Sequence, residues 1–174
     1  MAHDILVVDD EKDIRELISG ILSDEGYETR EAADGVTALE QIQTRQPHVV
    51  ILDVWLGDSE RDGLKILSQI KRDHPYVPVI MISGHATIET AVSAIKQGAY
   101  DFIEKPFQSE RLLIVIERAI ETSRLKRENE EITRKYIGQN LNLIGSSNIT
   151  NKLRQNIEKA ASNNWRVFLT GSKG

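Results

Sequence analysis

The chain has 174 residues, 40% hydrophobic and 28% charged, with a formal net charge of −5 and no cysteine. That balance suits one globular domain of common size plus a remainder. It excludes a disulfide framework, a thiolate metal site, a cysteine nucleophile and a globally basic nucleic-acid surface.

Short apolar runs then alternate with amphipathic stretches. Asp4 to Val8 reads as a strand, and Ile14, Leu17, Ile18, Ile21 and Leu22 repeat at helical spacing until Gly26, a helix stop. Tyr27 to Ala32 is a second strand, followed by a helix carrying Ala38, Leu39 and Ile42 up to Pro47. "HVVILD" is a third strand, and Leu64, Leu67 and Ile70 mark a third helix ended before Pro75. "VPVIMIS" is a fourth strand; Ile88, Ala91, Val92 and Ile95 mark a helix closed by Gly98. "YDFIEK" is a fifth strand, less apolar and so expected at an edge, and Leu112, Leu113, Ile116, Ala119 and Ile120 begin a fifth helix.

The charged stretch "RLKRENEEITRK" reads as a solvated continuation of that helix, with Glu130–Arg134 and Glu131–Lys135 in the favourable i,i+4 order. "YIGQNLNLIGSS" is expected to break it as a linker, before a helix over "ITNKLRQNIEKAA" and a strand over "WRVFLTG". No apolar run approaches the roughly 20 residues of a membrane helix. The N-terminus lacks the basic and apolar regions of a secretory signal. A cytoplasmic location without a membrane partner is expected. His3, His48, His74 and His85 show no zinc-ligand spacing.

Five strand–helix units imply a doubly wound parallel sheet with helices on both faces. Ligands of such sheets sit beyond the carboxyl ends of the strands, where strand order reverses. Asp9 and Asp10 end strand one, Asp53 ends strand three, Ser83 ends strand four and Lys105 follows strand five. Read singly, Asp10 could be a helix N-cap with Asp13 near the positive helix end. That reading leaves Asp9 and Asp53 unexplained. Two carboxylates about 5 Å apart repel by roughly 3 kcal/mol at an effective dielectric of 20. Three gathered together need a proton or a cation, and hard oxygen ligands suit Mg²⁺. A divalent cation, a lysine and a hydroxyl around a carboxylate form a phosphoryl-transfer site, with Asp53 becoming an aspartyl phosphate.

"ILVVDDE", "VVILDVWL", "MISGHA" and "FIEKPF", in this order and spacing, resemble the receiver domain of bacterial two-component response regulators, with its five-stranded flavodoxin/CheY-like sheet. The resemblance implies that Asp53 takes a phosphoryl group from a sensor histidine kinase. It implies that Asp10 ligates Mg²⁺ directly, Asp9 mainly through water and Trp55 through its backbone carbonyl. Ser83 would hydrogen-bond the phosphoryl group, Lys105 would pair with it, and Phe102 would be the rotating aromatic switch, without the hydroxyl of the more usual Tyr. "DVWLGDSERDGL" and "SGHATIETAVSAIKQGAYDFIEKPF" are similar to the NtrC family, and within it the NtrX type. Such regulators continue into an AAA+ ATPase domain and a DNA-binding domain. Residues 1–122 would then be the receiver, 123–140 a charged helical linker and 141–174 the start of the ATPase domain. Gly171, Ser172, Lys173 and Gly174 would be the front half of a Walker A loop, too short for a complete nucleotide site. A homodimer controlled through helix four, strand five and helix five, transcriptional output in nitrogen-related regulation, and no nucleic-acid contact by residues 1–174 are the corresponding expectations.

Two other readings compete. Phosphatases of the haloacid dehalogenase class also use a strand-end Asp with Mg²⁺, but they carry a second Asp two residues on. Trp55 occupies that place, so no enzyme is expected. A phosphate-independent interaction module is the other reading, and the full set Asp9, Asp10, Asp53, Ser83 and Lys105 argues against it.

Overall fold

The computed structural model describes residues 3–57, 62–85, 87–140 and 147–161. Its strands are β1 (Asp4–Val8), β2 (Glu28–Ala32), β3 (Val49–Asp53), β4 (Val79–Ser83) and β5 (Asp101–Glu104). Its helices are α1 (Lys12–Asp24), α2 (Gly35–Thr44), α3 (Asp62–Asp73), α4 (Ile88–Lys96), α5 (Ser109–Asn140) and α6 (Asn148–Ala161). All four pairings are parallel, in the order β2-β1-β3-β4-β5. The three central strands are buried throughout, whereas β2 and β5 have exposed positions, as edge strands should. The edge position expected for "YDFIEK" is therefore found. The polar segment "ETREA" makes the opposite edge.

The period of two along each strand divides the core. Leu6, Val8, Val50, Leu52, Val79 and Met81 face one side, where Ala38 and Ile42 of α2, Leu67 and Ile70 of α3, and Ala94 of α4 cover them. Ile5, Val7, Val49, Ile51, Ile80, Ile82 and Ile103 face the other, against Ile18 and Leu22 of α1 and Leu112, Ile116 and Ala119 of α5. Asp9, Asp53 and Lys105 continue the parity of the α1/α5 face. Ser83 and Phe102 continue that of the α2/α3/α4 face. The alternation that buries the core thus sorts the polar groups at the sheet's edge into two sets.

Two compact units are present, Met1–Glu128 and Asn129–Gly174. The sheet, α1 to α4 and α5 as far as Glu128 lie in the first. α6 lies in the second, its start capped by Ser147, whose Oγ accepts from the Thr150 N–H at 3.2 Å. One expectation needs correction: "YIGQN" does not break the fifth helix, which runs on through Asn140. A lone Gly138 costs a helix only about 1 kcal/mol relative to alanine, and no proline is present to force a stop. The strand expected over "WRVFLTG" lies outside the described residues. No described helix is long and apolar enough to cross a membrane.

Candidate functional site

At the carboxyl end of β1 the chain turns into α1 through three acids. Asp9 is fully buried, and its Oδ1 accepts the Glu11 N–H at 2.9 Å. Glu11, not Asp10, is the residue that precedes α1, and it makes no side-chain cap. Asp10 instead reaches across to the loop after β3, where its Oδ2 accepts the Gly57 N–H at 3.2 Å. The N-cap reading of Asp10 is therefore incorrect. The carboxylate is held by a residue 47 positions away, a long-range contact to which no local spacing points.

Asp53 ends β3 and is 4% exposed. One ligand atom from each of Asp9, Asp10 and Asp53 lies within 4.8 Å of the others. Lys105 enters from the end of β5 and bridges two of them, its Nζ donating to Asp9 Oδ2 at 2.7 Å and Asp53 Oδ2 at 2.9 Å. Glu11 Oε1 stands 3.8 Å from the same ammonium. Burial pushes the Asp53 carboxyl above its ordinary pKa; Lys105 opposes the shift and Asp9 adds to it. Burial works against the Lys105 ammonium too, but the two carboxylates outweigh it and raise its pKa.

Backbone groups hold this cluster in place. The Trp55 N–H donates to Asp53 Oδ1 at 3.3 Å. Arg15, one turn into α1, donates to the Asp9 and Asp10 carbonyl oxygens at 2.7 and 3.1 Å. Gly63 lies against the end of β3: a Cβ there would overlap the Asp53 carbonyl oxygen and stand 2.9 Å from Val54 Cα. Arg15, Glu11 and the roles of Gly57 and Gly63 went unrecognised in the sequence. The available signals were a basic residue one turn after the acids and a pair of glycines flanking the loop after Asp53.

The other expected residues are arranged around this centre. Ser83 is fully buried at the end of β4, its Oγ accepting the His85 N–H at 3.2 Å. Phe102, paired with Met81 across β4 and β5, is half-buried against the α2/α3/α4 side of the core. The Trp55 indole meets the His85 ring edge-on, with centroids 6.3 Å apart, and its Nε1 is buried without a hydrogen-bond partner. The Ser83 carbonyl accepts the Lys105 N–H at 2.8 Å, but among the described residues neither the Ser83 nor the Phe102 side chain joins the acid–lysine cluster. They stand on the neighbouring strands at the other pleat parity. Gly171, Ser172, Lys173 and Gly174 lie outside the described residues.

Three oxygen-bearing acids at the switch point of a parallel sheet, two of them bridged by one lysine, are an arrangement suited to a hard divalent cation. Residues 5–117 match the family model described as the response regulator receiver domain. The chain belongs to the response regulator receiver family. Over all 174 residues it is 52% identical to the nitrogen assimilation regulatory protein NtrX of Azorhizobium caulinodans, of which it covers 38%. The crystal structure of the NtrX receiver domain from Brucella abortus superposes with a TM-score of 0.65 at 64% identity, covering 68% of this chain and 99% of that one. The solution structure of the beryllofluoride-activated NtrC4 receiver domain dimer gives a TM-score of 0.65 at 42% identity, covering 69% of this chain and 98% of that one. The receiver is of the NtrC type. The chain spans little more than a third of the length of the curated NtrX relatives it matches.

Proposed function

We propose that Asp53 accepts a phosphoryl group from the phosphohistidine of a sensor kinase in a Mg²⁺-dependent transfer. We propose also that the phosphorylated unit controls self-association and, through it, transcription related to nitrogen use. The observation that carries this reading is the meeting of Asp9, Asp10 and Asp53 with Lys105 between them, in a chain of the receiver family. Asp10, Asp53 and the Trp55 carbonyl would hold the ion, with Asp9 acting mainly through water. The bound cation would offset the acids and the charge on the transferring phosphoryl oxygens.

The chain's own groups perform the rest. An Asp53 carboxylate oxygen attacks phosphorus, the P–N bond to the histidine breaks, and a P–O bond forms. Lys105, already on Asp53, exchanges a carboxylate partner for a phosphoryl oxygen. Ser83 turns its hydroxyl toward the same group, and Phe102 moves into the space vacated on its side of the sheet. Exposed Ile88, Val92 and Ile95 on α4 and Ile114 on α5 offer apolar surface for a second receiver, and the activated NtrC4 receiver dimer supports that assignment.

Incubation with acetyl phosphate and Mg²⁺ tests the reading by intact mass. One phosphoryl group is expected on the wild type and none on Asp53→Asn or after chelation. Uptake that persists in Asp53→Asn refutes it. Sedimentation with beryllofluoride tests the output, and an unchanged mass would remove dimerisation from the proposal.

A further inference from the structure

A second polar cavity lies at the opposite end of the sheet from the acids. Its walls include Pro78 and Tyr100, which immediately precede β4 and β5, and the stretch of α5 around Ser123. Its volume is about 320 Å³, at the small end of the range for small-molecule sites. Two lysines, Lys71 of α3 and Lys126 of α5, line it, and no Asp or Glu does. In a chain of net charge −5, a partly open pocket lined by two ammonium groups, one of them exposed, and by no acid favours anions.

The donors there are only partly used. Lys71 Nζ donates to the Val77 carbonyl at 2.7 Å and the Pro75 carbonyl at 3.2 Å, which leaves one of its three hydrogens. Burial lowers the pKa of its ammonium and Lys126 lowers it further, and the charge of an anion placed between them would oppose that shift. Lys126 has no hydrogen-bond or ion-pair partner among the described residues. The single Thr122 hydroxyl hydrogen goes to the Arg118 carbonyl at 2.7 Å. In the 3.3 Å contact between the Tyr100 and Thr122 hydroxyls, Tyr100 must therefore be the donor, through a long bond it can exchange for a better acceptor. Two cations and a redirectable hydroxyl match an oxyanion of charge −2.

We propose that this cavity binds a small oxyanion, phosphate or a short organic phosphate, between Lys71 and Lys126. Inorganic phosphate is the probe, added to the full chain in chelator, against chloride at matched ionic strength and fixed pH. Amide NMR shifts of Gly98, Ala99, Thr122, Ser123 and Lys126 are expected to move and saturate. Lys126→Gln, an exposed change on a helix, should weaken the apparent affinity about ten-fold by removing one charge-assisted contact. Lys12→Gln, with the same loss of charge on α1, should leave it unchanged. Shifts that do not saturate, or that saturate equally in Lys126→Gln, overturn the proposal.

Discussion

Replacing Lys105 by methionine should make the metal-free receiver strongly dependent on pH. Lys105 Nζ lies 2.7 Å from Asp9 Oδ2 and 2.9 Å from Asp53 Oδ2, and both acids are almost wholly buried. Without it, two carboxylates with oxygens no more than 4.8 Å apart repel by about 3.5 kcal/mol at an effective dielectric of 20. Protonating one instead costs about 4 kcal/mol at pH 7, given an ordinary carboxyl pKa near 3.9. The variant takes the cheaper course, so a loss of about 3 to 4 kcal/mol is expected at pH 7 in chelator. The sign follows from Asp53: burial already raises its carboxyl pKa, and removing the lysine raises it further. A carboxyl with a raised folded-state pKa loses stability as pH rises through that value, so the deficit should shrink by up to about 1.4 kcal/mol for each unit of acidification. Mg²⁺ should restore more stability to the variant than to the wild type. Urea unfolding followed by circular dichroism at pH 5, 6 and 7, in chelator and in Mg²⁺, measures all of this. A deficit below about 1 kcal/mol at pH 7 in chelator, or one equal at pH 5 and pH 7, refutes the reasoning.

Three further outcomes are expected. Gly63→Ala forces a Cβ into the Asp53 carbonyl and should cost about 1 to 3 kcal/mol while slowing phosphoryl uptake; normal rates in the variant would show that the acceptor strand tolerates displacement. Burial would raise the Asp4 carboxyl pKa, but hydrogen bonds from Arg30 and Arg45 hold it below the ordinary value. Its stabilisation is present above the unfolded pKa and lost as pH falls through the lower folded one, so Asp4→Asn should cost about 2 kcal/mol at pH 7, with a difference that closes in strong acid; a difference independent of pH counts against the assignment. Trp55 is half-buried beside Asp53 and edge-on to His85, where it would shield an acyl phosphate on Asp53 from water, so Trp55→Asn should shorten its lifetime in a chase assay, and an equal or longer lifetime would remove that role.

What could be read from the sequence follows the range of the interactions concerned. The runs "ILVV", "VVIL" and "VIMI" are apolar on both faces, and each became a fully buried strand. Because side chains alternate along a strand, the parity of Ile5 and Val7 carries on to Asp9, that of Val49 and Ile51 to Asp53, and that of Ile103 to Lys105. Parallel pairing then brings all three to one edge. Composition also betrayed the edge at β5, and the same argument would have found β2 in "ETREA". One local reading went astray, where a local signal was weaker than its surroundings. Gly138 resembled a helix end, yet one glycine cannot stop a helix that has no alternative turn chemistry. The cap alternative for Asp10, set aside because it left Asp9 and Asp53 unexplained, is absent too: its carboxylate accepts the Gly57 N–H.

Contacts that join distant parts of the chain left no periodic trace. Lys71 and Lys126 share a cavity only because the turn before β4, the turn before β5 and one stretch of α5 close on the same corner of the sheet. Neither lysine has a spacing or a motif that marks it, the local partners of Lys71 being backbone carbonyls of the following turn, and each reads alone as an ordinary solvated helix charge. The acid site differs in kind. Its residues are set by strand ends, and the strand ends are set by the buried runs before them. A site built on strand ends is therefore legible wherever the sheet is, whereas one built between turns and a helix appears only once the chain has folded.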